Sequence, residues 1–187
     1  MIDLDTARTE VEAGPDANNF ARDFGELFDR LGAGALRREA GAEHVTASCL
    51  IFDPDTESVL LNHHRKAGLW GQFGGHLESA DATLRSAARR EALEESGLPE
   101  LRWFSPTPID LHVHDLSAAF GACQRHFDVV FAAAASHTQT PVVSEESIAV
   151  RWFPLTELPA TLMPDLPARL PQLYRAGVAS LQVSSRG

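Results

Sequence analysis

Glu91, Glu94 and Glu95 stand at i, i+3 and i+4 in the run Arg90-Glu91-Ala92-Leu93-Glu94-Glu95-Ser96-Gly97-Leu98. On an α-helix these carboxylates share one face. Leu84, Ala87 and Ala88 fall on nearly the same face one to two turns earlier. The stripe therefore begins apolar, which predicts that it looks inward, and it ends in carboxylates. An acidic helical run is ordinarily a solvated face, and the apolar continuation is what argues against that here. Glu94 and Glu95 also precede Gly97, a residue suited to the position just past a helix C-terminus. Carboxylates there oppose the helix dipole by about 0.3–1 kcal/mol each, and they repel one another. A bound divalent cation removes both penalties. Mg²⁺ or Mn²⁺, hard ions that take oxygen ligands, suit such a cluster better than zinc, which favours nitrogen and sulfur.

The stretch 74–98 resembles the Nudix box: Gly, five residues, Glu, seven residues, then Arg-Glu-apolar-any-Glu-Glu-any-Gly-apolar. Gly75 matches the leading glycine. Arg90, Glu91, Glu94, Glu95, Gly97 and Leu98 match the second half, with Ala92 as the small apolar residue. Asp81 stands where the first Glu is expected, and eight residues (82–89) rather than seven separate it from Arg90. The added residue falls in the loop or the first helical turn. Asp81 is a good N-cap type and is expected to start the helix rather than to bind metal. The strand pattern around the box extends the resemblance to about residues 44–160.

The resemblance implies an α/β/α sandwich with a mixed β-sheet, the box forming a loop–helix–loop. It implies Mg²⁺ (or Mn²⁺) held by Glu91, Glu94, Glu95 and the carbonyl of Gly75. Arg90 would hold the glutamates in place by hydrogen bonds. The reaction implied is hydrolysis of the pyrophosphate bond in a nucleoside diphosphate linked to another group, giving a nucleoside monophosphate and a second phosphate. Several such enzymes take their general base from a loop just before a late strand. Glu145 and Glu146 precede the strand 148–153 at that place. The same pair also reads as a solubilising surface turn, in which case the base falls back on Glu91 or Glu94.

The remaining chain bounds these readings. It has 187 residues, 44 % of them hydrophobic, enough for one core. A formal charge of −10 argues against an extended nucleic-acid surface, which needs clustered Lys and Arg. Cys49 and Cys123 lie in apolar, strand-like runs and read as reduced core residues, consistent with the cytoplasm. The acidic N-terminus lacks a signal peptide's apolar stretch, and no run reaches the roughly 18 apolar residues of a membrane span.

The chain divides into an N-terminal helical extension (1–43), a Nudix domain (44–160), and a C-terminal helix with a short tail (161–187). Residues 1–15 read as weakly structured or as one short helix. Asn18 or Asn19 is placed to cap a helix running to about Arg38, with Phe20, Phe24, Leu27, Phe28 and Leu31 at helical spacing. That apolar face either docks on the main domain or makes a homodimer contact. Residues 45–52 and 58–62 predict a hairpin across Asp53-Pro54-Asp55. Arg65, Lys66, Trp70 and His76, flanking the start of the box, are candidates for contact with a nucleotide-like substrate. Each has a plain alternative: an exposed polar strand end for the basic pair, a core position for Trp70. His63 and His64 are adjacent on a strand and point to opposite faces, so they would not chelate one metal. Asp110, His112 and His114 share a strand face, as do His126 and Asp128. For His112 and His114, pocket lining, solvent exposure and metal binding are alternatives, pocket lining or exposure being favoured. Residues 165–182 predict a final amphipathic helix, with Pro167 and Pro171 obscuring its start.

Two rivals share the fold implied. A non-catalytic nucleotide-sensing or sugar-phosphate-sensing domain commonly loses box glutamates, whereas this chain keeps three. Isomerisation of an isoprenoid diphosphate would want a placed Cys, and both cysteines read as core.

Overall fold

A computed structural model describes residues 1–15, 20–116 and 123–186. In chain order the elements are α1 (Leu4–Glu12), α2 (Phe20–Leu31), β1 (Glu43–Asp53), β2 (Ser58–His64), β3 (Leu69–Gly71), β4 (Phe73–His76), α3 (Leu84–Ser96), β5 (Trp103–Phe104), β6 (Asp110–Asp115), β7 (Arg125–Ala134), β8 (Ser147–Pro154) and α4 (Leu166–Ser184).

Every residue of β1 except Glu43 is buried, and the strand is the axis of one mixed eight-stranded sheet. Along one edge its first half pairs antiparallel with β4 and its second half with β2. Along the other it runs parallel to β7 from Glu43↔Arg125 to Phe52↔Ala134. β7 in turn carries β5 and β6, and β2 carries β3 and β8.

Because strand side chains alternate, β1 and β7 build two cores. Val45, Ala47, Cys49, Ile51, Phe127, Val129 and Phe131 meet α1, α2 and α3. Leu50, Phe52, Val130, Ala132 and Ala134 meet α4 through Leu166, Leu170 and Leu173. This is the α/β/α sandwich. On the α4 side of the sheet, the same alternation gives β1 and β7 a polar end: His44, Thr46 and Ser48 beside His126 and Asp128.

The N-terminal segment takes the second of its two readings, one short helix. Asp3 caps α1 by accepting the Thr6 N–H at 2.8 Å, and Ala7 and Val11 are buried. The helix expected to reach Arg38 ends at Leu31 and gives way to 3₁₀ turns over 32–36 and 38–40. Its apolar residues Phe24, Leu27 and Phe28 are buried within the chain, so that face is not left for a second copy. The candidate caps Asn18 and Asn19 lie outside the described residues. No described helix is long and apolar enough to cross a membrane.

Candidate active site

The acidic helix starts later than the sequence suggests. Thr83, not Asp81, is the N-cap of α3: its hydroxyl accepts the Ser86 N–H at 2.9 Å, and Ser86 Oγ accepts the Thr83 N–H at 3.0 Å. The carboxylate of Glu10, from α1, accepts the next two free donors, Leu84 N–H at 2.6 Å and Arg85 N–H at 3.0 Å. A helix N-terminus leaves several N–H groups unsatisfied and favours negative charge, which explains this placement. At the other end Gly97 adopts φ 61°, the left-handed conformation that closes a helix.

Between these caps the stripe turns inward as its spacing predicts. Leu84, Ala87, Ala88, Ala92 and Glu95 are buried. Glu95 Oε2 accepts the Gly74 N–H at 3.0 Å, and the Asn62 side chain favours its charged form. Glu91 lies against Gly75 so closely that a Cβ on that glycine would sit 2.7 Å from Glu91 Oε1. A side chain at this position would push the Glu91 carboxylate out of place. The side chains of Glu91 and Glu94 are 14 % and 61 % exposed, so the trio grades from buried to open to solvent.

Arg90 organises the cluster. Its Nη1 donates to Glu91 Oε1 at 2.9 Å and to Glu94 Oε2 at 3.2 Å, and Nη2 donates to the His76 carbonyl at 3.1 Å. Nε and Nη2 also donate to the two oxygens of Asp81, at 3.2 and 3.0 Å. Burial works to lower the pKa of this guanidinium, but Asp81 and Glu91 outweigh it and raise the value. Asp81 is buried and accepts the Glu78 N–H at 2.8 Å as well. Instead of starting the helix, it ties the box loop to Arg90.

One arginine does not compensate the carboxylates around it. Burial, opposed by the Gly74 N–H and reinforced by Glu91 and Glu146, pushes Glu95 up to about 8. Burial also raises Glu91, against the pull of Arg90, with Glu94 and Glu146 adding to the rise. An oxygen-rich site with excess negative charge fits a hard divalent cation, which the carboxylates of Glu91, Glu94 and Glu95 could hold.

Glu146 acts on both Glu91 and Glu95 from the loop before β8. That loop is held at two points. Val142 N–H donates to the Ser96 carbonyl at the end of α3, at 3.0 Å. Arg65 donates from Nε to the Glu145 carbonyl at 2.9 Å and from Nη2 to the Ser147 carbonyl at 2.7 Å. Arg65, suggested for substrate phosphates, thus spends its guanidinium on positioning this loop. Lys66 is exposed, and its charge acts on His64 and His76. Trp70 is buried in the α4-side core, stacked on His63 at 4.9 Å and edge-on to Phe153. It takes the core position that was its plain alternative. His76 turns its ring toward His44 and His126. Asp110 is paired with Arg169 of α4 at 2.6 Å, while His112 and His114 stack with their Nδ1 atoms 3.2 Å apart.

A family model for the NUDIX domain matches residues 42–176. The chain belongs to the Nudix family. It is 37 % identical over 123 residues to an oxidized purine nucleoside triphosphate hydrolase of Mus musculus, across 62 % of this chain and 70 % of that protein. Its counterpart in Danio rerio is 33 % identical over 109 residues, across 56 % of this chain and 64 % of that protein. The aligned part thus spans roughly two thirds of each relative's length. Among solved structures, a MutT NUDIX hydrolase from Burkholderia pseudomallei superposes with a TM-score of 0.55 at 27 % identity, covering 68 % of this chain and 95 % of that one. The NUDIX domain of Shewanella oneidensis NrtR, complexed with ADP ribose, gives a TM-score of 0.56 at 19 % identity, covering 70 % and 86 %, and shows the fold alone. The chain is a Nudix hydrolase.

Some residues of the Nudix site carry no signal in the sequence. Asn62, from β2, favours the charged form of Glu95. Asp128 accepts from Thr46 Oγ1 at 3.0 Å, Ser48 Oγ at 2.6 Å and Gln72 Nε2 at 3.3 Å, forming a buried polar network on the α4 side of the sheet. Asn62 Oδ1 and Gln72 Oε1 are buried without a hydrogen-bond partner among the described residues. The shared face of His126 and Asp128 was the one available hint. Partners 24 to 82 residues away have no local pattern to announce them.

Proposed function

We infer that this Nudix hydrolase cleaves, with Mg²⁺ or Mn²⁺, the pyrophosphate bond of a nucleoside diphosphate linked to a further group. The observation that carries the reading is the Glu91–Glu94–Glu95 cluster laid against Gly74 and Gly75 and clamped by Arg90. When bound, the cation supplies positive charge against the phosphate oxygens and acidifies water. Arg90 fixes the rotamers of Glu91 and Glu94, so the carboxylates need little reorganisation as charge develops. Asp81 and the His76 carbonyl hold Arg90 in turn. Glu146 is the better placed of the two loop acids to take a proton from water, because it acts on Glu91 and Glu95. Asn62 and Gln72 offer buried acceptors to a substrate's donors. The similarity to oxidized purine nucleoside triphosphate hydrolases makes purine nucleoside triphosphates with an oxidised base the leading substrate class. In these the further group is the terminal phosphate.

The test is a panel of oxidised and unmodified nucleoside triphosphates, ADP-ribose, dinucleoside polyphosphates and NADH with Mg²⁺ or Mn²⁺, followed by product identification. Release of a nucleoside monophosphate, dependent on the cation and lost in Glu94→Gln, is the expected result. Tight nucleotide binding without turnover of any compound would favour a sensing domain instead.

A further inference from the structure

His44, His76, Cys123 and His126 come together on the polar end of the sheet. His44 lies in β1, directly opposite His126 of β7 in the parallel register. His76 ends β4, and Cys123 precedes β7. One donor atom from each lies within 4.8 Å of every other. The three rings form a triangle with centroids 4.9 to 5.2 Å apart, and His76 Nε2 stands 3.9 Å from Cys123 Sγ. His44 is fully buried and Cys123 nearly so.

Hydrogen-bond accounting leaves this cluster incomplete. Nδ1 of His44 faces the Gly41 carbonyl at 3.3 Å and must donate to it, so Nε2 carries a lone pair. That Nε2 is buried with no partner among the described residues, and so is Nε2 of His126. Buried polar atoms in native proteins are nearly always satisfied, and two orphans in one cluster ask for a ligand.

We propose that His44, His76, Cys123 and His126 bind a structural Zn²⁺ ion that ties the start of the Nudix box to β1 and β7. Three imidazoles and one thiolate are a donor set for zinc, which takes four such ligands in closed tetrahedral sites. Bonds of about 2.0–2.3 Å place tetrahedral donors about 3.3–3.7 Å apart, so the four side chains need to close in by only about 1 Å. The His44 contact to a backbone carbonyl is the support that zinc-bound histidines usually have. Chemistry separates this site from the acidic one: nitrogen and sulfur here, carboxylate oxygen there. The site also lies at a point of leverage. His76 follows Gly75, and its carbonyl accepts Arg90 Nη2, so zinc would fix the backbone that the glutamates lean on.

The experiment measures zinc by elemental analysis in the full chain, metal-stripped, reloaded with Zn²⁺ and dialysed against excess Mg²⁺. About one Zn²⁺ per chain should remain in the wild type and in Glu94→Gln, but not in Cys123→Ser/His126→Asn. Reloading with Co²⁺ should give the intense visible absorption of a tetrahedral ion and a near-ultraviolet thiolate charge-transfer band, which Cys123→Ser removes. With Mg²⁺ saturating, Zn²⁺ should raise the melting temperature of the wild type and of Glu94→Gln, but not that of Cys123→Ser/His126→Asn. Three results would each overturn the proposal: a weak octahedral Co²⁺ spectrum without charge transfer in the wild type, zinc retention equal in wild type and double variant, or zinc lost in Glu94→Gln. The wild-type spectrum decides even if a variant fails to fold.

Discussion

Arg90 and Asp81 are joined by two near-parallel hydrogen bonds, Nε to Oδ1 at 3.2 Å and Nη2 to Oδ2 at 3.0 Å, with the Asp81 side chain only 5 % exposed. Asp81→Asn keeps the shape and removes the charge and one acceptor. It should destabilise the fold by about 1–3 kcal/mol, the range for a lost hydrogen bond to a charged group, as read by urea denaturation. It should also lower kcat, because Arg90 then holds Glu91 and Glu94 less firmly. Unchanged stability and turnover would return Asp81 to the role of a helix cap, which Asn fills equally well.

Glu94 is the most exposed of the three glutamates, and its one hydrogen-bond partner among the described residues is Arg90. Glu94→Gln should change stability by no more than about 0.5 kcal/mol, as surface substitutions do. Turnover should fall at least about a hundredfold, since cation-derived stabilisation is worth several kcal/mol. Near-normal turnover at saturating Mg²⁺ in both Glu91→Gln and Glu94→Gln would remove the hydrolytic mechanism.

The two loop acids separate in the same assay. Glu146→Gln should lower kcat by about 10²–10⁴-fold, the usual loss for an acid–base group, with little change in metal affinity. Glu145→Gln should stay within a factor of a few, because only the backbone of Glu145 has a structural task, accepting from Arg65. Equal activity in both variants places the base back on the box.

Metal-free protein should have a stability maximum near pH 6.5. Glu95 titrates near 8 when folded against 4.5 ordinarily, so its contribution is complete below about 4.5 and is lost as pH rises through 8. His76, His112 and His126 are depressed from 6.5 to between about 3 and 4. Their contribution is present above 6.5 and is lost as pH falls toward those values. Melting curves in chelator across pH 4–9 measure both limbs. Mg²⁺ should flatten the alkaline limb and release a proton on binding at pH 7, measurable in weakly buffered solution. A flat alkaline limb without metal would show that Glu95 ionises freely.

The acidic stripe was legible because periodicity is local: Leu84, Ala87 and Ala88 predict which way Glu91 and Glu95 face, and they do face the sheet. The hairpin of β1 and β2 and the late strand β8 were legible for the same reason, being apolar runs bounded by turn residues. Asp81 was misread because two good caps, Asp81 and Thr83, stand two residues apart, and only the position of Arg90 decides between them. Trp70 and Arg65 were offered to substrate on proximity in sequence, whereas the core around α4 and the loop before β8 claim them. Cys123 read as an ordinary core thiol, since nothing near it in sequence announces His44 or His76 across the sheet.

Glu10 closes the N-terminus of α3 from 74 residues away. Sequence similarity to the family begins at residue 42. The unit that evolution has kept recognisable is therefore smaller than the unit that must fold. A shortened protein cut to the recognisable boundary would leave the first turn of the acidic helix without its counter-charge and bare the sheet face that Phe24, Leu27 and Phe28 now cover. For engineering, the first twelve residues belong with the chemistry, and a fusion partner is better joined at the far end of the chain.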